Sequence, residues 1–409
     1  MNLSFSTFPK IFQYTKICLW FVNLSAVFFG QSAIKNDFPA QSCFQFPLPK
    51  GSVISQIASD NIYHFPLVTN DKFLNSIDLT NGKINWSFDV GGTIAKRNLV
   101  SSEFTFLANT VKKNVINTDS NDSDENKLVI RSINNYSGLV VWKTETKIEF
   151  PSLITNNLSP DQTGIYDLKD SLLVRSDYCF VRVNKIDGII IWNKCIEPNS
   201  TNTNNTKSAD DRTDFDYNFD YNDVDLNISG DILAFSDHKY IYLLMLQTGE
   251  VFSKIKSEIE ITAIVPIGRS NVIYGNKKGI IRSLNTDSKK VFWSVKSGGA
   301  ISGIIETKNG LLVSSFDNFV YMLNKNNGRK IWKKRFAGRL RGKLFVNSNS
   351  AIIVGDESNS YLVNLSDGKI IRQISLPENE FFQQTHGFIN DHFFLSTDKR
   401  ILVFRSGPC

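Results

Sequence analysis

The 409-residue chain carries four histidines, His64, His238, His386 and His392, and none stands in a metal-binding spacing. A zinc-binding helix needs two histidines four apart with a glutamate beside the first, and no HExxH occurs. His386 and His392 lie six apart across a predicted strand turn, which gives them ordinary core or surface roles. No Gly-x-Ser-x-Gly elbow is present to support a serine nucleophile. Asp214, Asp216, Asn218 and Asp220 alternate, with Asp225 at the twelfth place, and so resemble a calcium loop. Phe219 replaces the turn glycine and Asp225 the bidentate glutamate, so a solvated acidic loop is expected. The interleaved Phe215, Tyr217, Phe219 and Tyr221 would dock on a partner or pack back on the domain. No catalytic residue, cofactor or metal is assigned.

The stronger charge feature is basic. Arg329, Lys330, Lys333, Lys334, Arg335, Arg339, Arg341 and Lys343 follow one another with no acid between them. Cations on an outer strand ordinarily protect a solvated edge. Arg339 and Arg341, however, are expected to enter the next innermost strand, near a central channel or its rim. Arg335, Arg339 and Arg341 are therefore the candidates for contacting an anionic ligand or an acidic protein partner. The whole chain carries only +6, too mild an excess to imply nucleic acid.

Residues 1–32 hold two lysines and no acid, and an apolar run from Ile17 to Gly30 follows the lysines. That run has the length of a signal-peptide core and falls short of the ~20 residues that span a bilayer. Cleavage is expected after Ser32, with Ala33 as the alternative site and an uncleaved anchor as the rival reading. The mature chain would carry +4 and four cysteines, Cys43, Cys179, Cys195 and Cys409. Export, to a periplasmic or extracellular location, makes disulfides the expectation. No transmembrane segment is expected in the mature chain.

What must position these residues is an internal repeat. Ile77-Asp78, Gly82 and Trp86 set a frame with Gly at +5 and Trp at +9 from an apolar anchor. Ile133-Asn134, Gly138 and Trp142 repeat it, as do Val183-Asn184, Gly188 and Trp192, and Leu323-Asn324, Gly328 and Trp332. Leu244 and Gly249 are followed by Ser253; Leu284-Asn285 and Trp293 have Lys289 in the glycine place; Val363-Asn364 and Gly368 are followed by Arg372. Each copy reads as a β-hairpin with a tryptophan on its outgoing strand for packing between sheets. Further short strands upstream, such as Ala300–Ile305 and Leu311–Ser315, make four per unit at a period near 40 residues, the signature of a β-propeller.

After the seventh copy, Phe393–Thr397 and Ile401–Arg405 begin an eighth unit that lacks an outer strand. Cys43–Phe46, just ahead of a predicted innermost strand at Ser52–Ile57, stands where that strand should be. The expectation is an all-β, eight-bladed propeller of four-stranded antiparallel blades. Its last blade is closed by strands from both termini, in one domain from 43 to 406. Polar insertions at Asn109–Lys127 and Glu197–Asp225 read as surface loops. Cys179 and Cys195 flank the third hairpin symmetrically and are expected to pair, and Cys43 and Cys409 would both fall in the closing blade. Sequons at Asn85, Asn135, Asn227 and Asn364 are expected from composition alone.

The run Gly328-Arg329-Lys330-Ile331-Trp332, with Leu323-Asn324 before it, resembles the repeat of the PQQ-like (quinoprotein-type) β-propellers. Within them the length and blade plan are similar to the BamB-type propellers of the bacterial outer-membrane β-barrel assembly machinery. That resemblance implies a monomeric, non-catalytic scaffold that docks a protein partner in the cell envelope. The quinoprotein dehydrogenases share the architecture, but the chain lacks the adjacent cysteines on which many of them stack PQQ. A propeller binding carbohydrate or another small ligand in its channel is the remaining alternative.

Overall fold

The computed structural model describes residues 42–48, 56–59, 64–68, 73–78, 80–90, 93–94, 97–112, 126–147, 164–176, 178–197, 226–237, 239–340, 344–355 and 358–405. Contacts divide the chain into Met1–Pro39 and Ala40–Cys409, and the predicted signal lies outside the described residues. So do the acidic alternation at 214–225, His238, Arg341, Lys343 and Cys409.

The described residues of the second unit are all β, in antiparallel blades. Ile301–Thr307, Gly310–Ser315, Phe319–Leu323 and Lys330–Arg335 show one blade from its innermost to its outermost strand. Burial follows that order and explains the sequence. The second strand is buried at all six positions, so its apolar residues Leu311, Leu312 and Val313 follow one another rather than alternate with polar ones. The outermost strand is exposed at five of six positions and reads as polar.

Among the described residues, hydrogen bonding gathers the strands into seven sheets, not the eight separate blades expected. Five are four-stranded, and the first repeat unit keeps a three-stranded sheet, Phe65–Val68, Phe73–Asp78 and Lys83–Asp89. Gln56–Ser59, which overlaps the expected innermost strand at Gln56–Ile57 while Ser52–Ser55 lie outside the described residues, pairs in parallel with Arg97–Val100 of the next unit. Gly164 also pairs in parallel with Arg97, and these parallel bonds fuse the second and third units into one ten-stranded sheet. The fusion occurs among innermost strands, where neighbouring units approach most closely. The insertion at Asn109–Lys127 is shorter than expected, because strands run from Phe104 to Lys112 and from Asn126 to Asn134.

Strands from the two ends of the unit do close a sheet. Phe44–Pro47 pairs antiparallel with Arg400–Arg405, Phe44 facing Val403. Gln56–Ser59 in turn lies against Phe382–Ile389, the innermost strand of that closing sheet.

The repeat positions do two jobs. Asp78, Asn134, Asn184, Asn285, Asn324 and Asn364 each accept, through a side-chain oxygen, the N–H of the residue two places on. This Asx geometry explains the acid or amide after the anchor. The tryptophans then join each sheet to the next. Nε1 of Trp86, Trp142, Trp192, Trp293 and Trp332 donates to the carbonyls of Asn135, Lys185, Leu246, Lys325 and Leu365, at 2.6, 3.2, 2.9, 3.1 and 3.0 Å. Their rings lie on Gly138, Gly188, Gly249, Gly328 and Gly368 of the following hairpins. At the closure Phe46 takes the tryptophan's place against Gly82.

Because neighbouring strands are antiparallel, these hairpins share one end of the blades with the first-to-second-strand turns. The connections between blades leave from the other end. The chain quits Ile190–Cys195 for its long polar insertion there, and it quits Lys330–Arg335 for the basic segment there. Cys179 and Cys195 face each other in register and form a disulfide. Cys43 is also disulfide-bonded, while its expected partner Cys409 lies outside the described residues.

Candidate partner-binding surface

The basic segment is built on one outer strand and the connection after it. In Lys330–Arg335, Lys333 faces Tyr321 and Arg335 faces Phe319 on the preceding strand. Residues directly opposite share a sheet face, so Lys333 and Arg335 lie on the face that carries the two rings. Lys333 Nζ sits 5.4 Å from the Phe319 centroid and Lys330 Nζ sits 5.3 Å from that of Tyr321. The Arg339 guanidinium lies 5.9 Å from the ring of Phe316. Such contacts hold a cation in place without neutralising it. The Tyr321 hydroxyl is held protonated well above its ordinary range, first by burial and then by its hydrogen bond of 2.5 Å to Asp317. The ring is thereby a neutral platform, and Asp317 is committed to Tyr321 and to the Gly298 N–H at 2.7 Å.

Several cations elsewhere in the blades pair with acids: Lys277 with Glu260 at 3.2 Å, Lys325 with Glu306 at 2.8 Å and Lys185 with Asp167 at 2.8 Å. Among the described residues, no ion pair reaches Arg329, Lys330, Lys333, Lys334, Arg335 or Arg339. Arg335 is exposed at the end of its strand. Arg339 is half-buried one residue before Leu340, which bridges Gly355, so it precedes the innermost strand Phe345–Val346 rather than entering it. The turn at Phe336, buried beneath the segment, and the bridge at Leu340 set its path. The structure thus brings Arg335 and Arg339 onto one basic stretch. The aromatic platforms under it went unnoticed in the sequence, although Phe319-x-Tyr321 on the facing strand is the readable signal.

The other candidates fall to structural roles. His64 is buried, 3.3 Å from Ser76 Oγ and edge-on to Tyr136, and burial pulls its pKa below the ordinary histidine value although Asp78 opposes the shift. His386 is buried edge-on to Phe345, and His392 Nδ1 lies 2.7 Å from Asp391. Among the described residues no three His, Cys, Asp or Glu converge as a metal site. Asn135 is fully buried and its amide donates to Ser101 O at 2.9 Å, so this sequon is spent on packing.

Comparisons with known proteins bear on the fold. Residues 237–392 match the family model described as outer membrane protein assembly factor BamB. These blades carry the PQQ-like propeller repeat. The match covers the hairpins from Gly249 to Gly368 and the whole basic segment. Among solved structures, the chain is similar to BamB from Moraxella catarrhalis, with a TM-score of 0.54 at 10% identity over 88% of this chain and 99% of that one. It is similar to the computationally designed Ika8 protein, with a TM-score of 0.57 at 10% identity, 89% and 99% covered. It is similar also to Saccharomyces cerevisiae Sqt1, with a TM-score of 0.60 at 10% identity, 90% and 100% covered. At such identity the likeness is one of fold. No curated protein matched the sequence. No helix of the described residues is long and apolar enough to cross a membrane.

Proposed function

We propose that the protein is an exported, non-catalytic PQQ-like propeller, a monomer and a single domain from 43 to 406, that docks a protein partner in the cell envelope. The contact is placed at Arg335, Arg339 and Arg341. The supporting observation is the basic stretch itself: Lys330, Lys333 and Arg339 lie over aromatic rings, and none of its described cations has an acid among the described residues to neutralise it. A surface of that kind gains most by meeting carboxylates on another molecule. Export, to the periplasm or outside the cell, is supported by the Cys179–Cys195 disulfide. A part in outer-membrane protein assembly is supported by the family match over 237–392.

The test is cross-linking and recovery of partners by the wild-type protein and by an Arg335→Glu/Arg339→Glu variant. Recovery of outer-membrane assembly components by the wild type alone, with both proteins melting alike, is the expected result. Equal recovery by both sinks the assignment of the surface. Dye reduction after addition of PQQ and calcium would instead favour the dehydrogenase reading.

A further inference from the structure

The basic outer strand offers more than charge. Lys330–Arg335 ends its sheet, so among the described residues one side of its backbone has no strand partner. It carries four cations in six residues, whereas no other outer strand carries more than two. Lysines on an edge ordinarily deter pairing. Here they deter neutral and basic strands, and they reward one whose side chains are acidic.

We propose that the edge of Lys330–Arg335 takes up an acidic, extended segment of a partner protein as a fifth strand. The partner's N–H and C=O groups would complete the open ladder, as in other cases of strand addition. On one face its alternate carboxylates would meet Lys333 and Arg335, which the rings of Tyr321 and Phe319 face in register. Past the end of the strand, Arg339, held over Phe316, would meet the next acid. Trp332 is committed to Leu365 and Gly368 of the following blade, which keeps the edge strand from peeling away as the partner binds. Recognition by backbone and alternating charge tolerates many sequences, so a simple probe suffices. This inference rests on the docking function proposed above.

The probe is the fluorescent heptapeptide Asp-Val-Asp-Val-Asp-Val-Asp, titrated against the full chain at low salt and followed by anisotropy. Saturable binding is expected, weakened about tenfold or more by Lys333→Glu/Arg335→Glu. N-methylation of the three valine nitrogens, which removes backbone donors and keeps every charge, should weaken it comparably. No binding up to about 1 mM overturns the proposal. An N-methylated peptide that binds as well as its parent overturns strand addition while leaving the docking function standing. Binding that appears only after deletion of 210–225 shows that the edge's occupant is the chain's own acidic segment and overturns the external partner.

Discussion

Ser253 Oγ donates to the carbonyl of Thr286 at 3.0 Å, and the hairpin it faces has Lys289 where the other six have glycine. The one turn without glycine thus follows the one hairpin strand with serine for tryptophan. Lys289 still adopts a positive φ of 56°. The backbone conformation therefore does not by itself demand glycine; the indole ring lying on the turn does.

A Cβ on Gly188 would stand 2.5 Å from Trp142 Cε3. Gly188→Ala should cost about 2–4 kcal/mol, read from urea denaturation. Lys289→Ala should cost under about 0.5 kcal/mol, since no ring crosses that turn. Gly188→Lys in a Trp142→Ser background should cost at least about 1 kcal/mol less than in the wild type, a coupling measured by a double-mutant cycle. Additive effects would show that the ring and the turn are independent.

The closing sheet is clasped by a buried carboxylate. Glu380 accepts from Arg400 Nε at 2.9 Å and Nη2 at 2.8 Å and from Thr397 Oγ1 at 2.7 Å, while Arg400 Nη1 donates to Gln45 Oε1 at 2.8 Å. Glu380→Ala leaves a partly buried guanidinium without its acid and should cost about 3 kcal/mol. Gln45→Ala removes one hydrogen bond and should cost about 1 kcal/mol. Hydrogen exchange at the Phe44, Gln45 and Phe46 amides should rise in both, more in the first.

Cys179→Ser/Cys195→Ser should destabilise the protein by about 3 kcal/mol, the scale for closing a loop of this size, with the separation being 16 residues. Because Trp192 in the same strand is also fixed through Leu246, the double variant should retain its fold. Chemical denaturation followed by tryptophan fluorescence measures both.

His64 makes one contribution to pH dependence with a determinate sign. Its folded pKa lies below its ordinary value of 6.5 because burial disfavours the charged ring. The unfolded chain therefore binds the proton first as pH falls. The His64 contribution to stability is present above pH 6.5 and is lost as pH falls through the folded pKa. His64→Gln should flatten the melting temperature against pH below 6.5, and an unchanged profile would remove histidine from the account.

The propeller was legible in the sequence because three repeat positions each answer a separate physical demand. Asn184 caps a turn, Gly188 yields to a ring and Trp192 bridges two sheets, so their spacing recurs wherever the architecture does. The pairing of Cys179 with Cys195 was legible for the same reason, since symmetry about a hairpin fixes register. The fusion of the second and third units was not, because the parallel bonds at Arg97 and Gly164 are backbone contacts with no side-chain signature. Of the candidate surface, the charges were visible and Phe319-x-Tyr321 was readable as aromatic alternation, but the contact of Phe316 with Arg339 was not, because it joins a turn to a connection between blades. The clasp at Glu380 was missed because Gln45 lies 355 residues from Arg400.

That last separation imposes an order on biosynthesis. Phe44 finds Val403 only after the residues through the last strand of the closing sheet have been made. Until then the first strand of the unit remains an unpaired β-segment, open to chaperones and to proteases, while the later blades assemble from contacts between near neighbours. Completion of the ring is thus the most non-local step of folding, and long-range pairing of this kind is slow. A ribosome that stalls before residue 400 would release seven hairpins and no closed molecule. Quality control could read that difference from a single exposed strand.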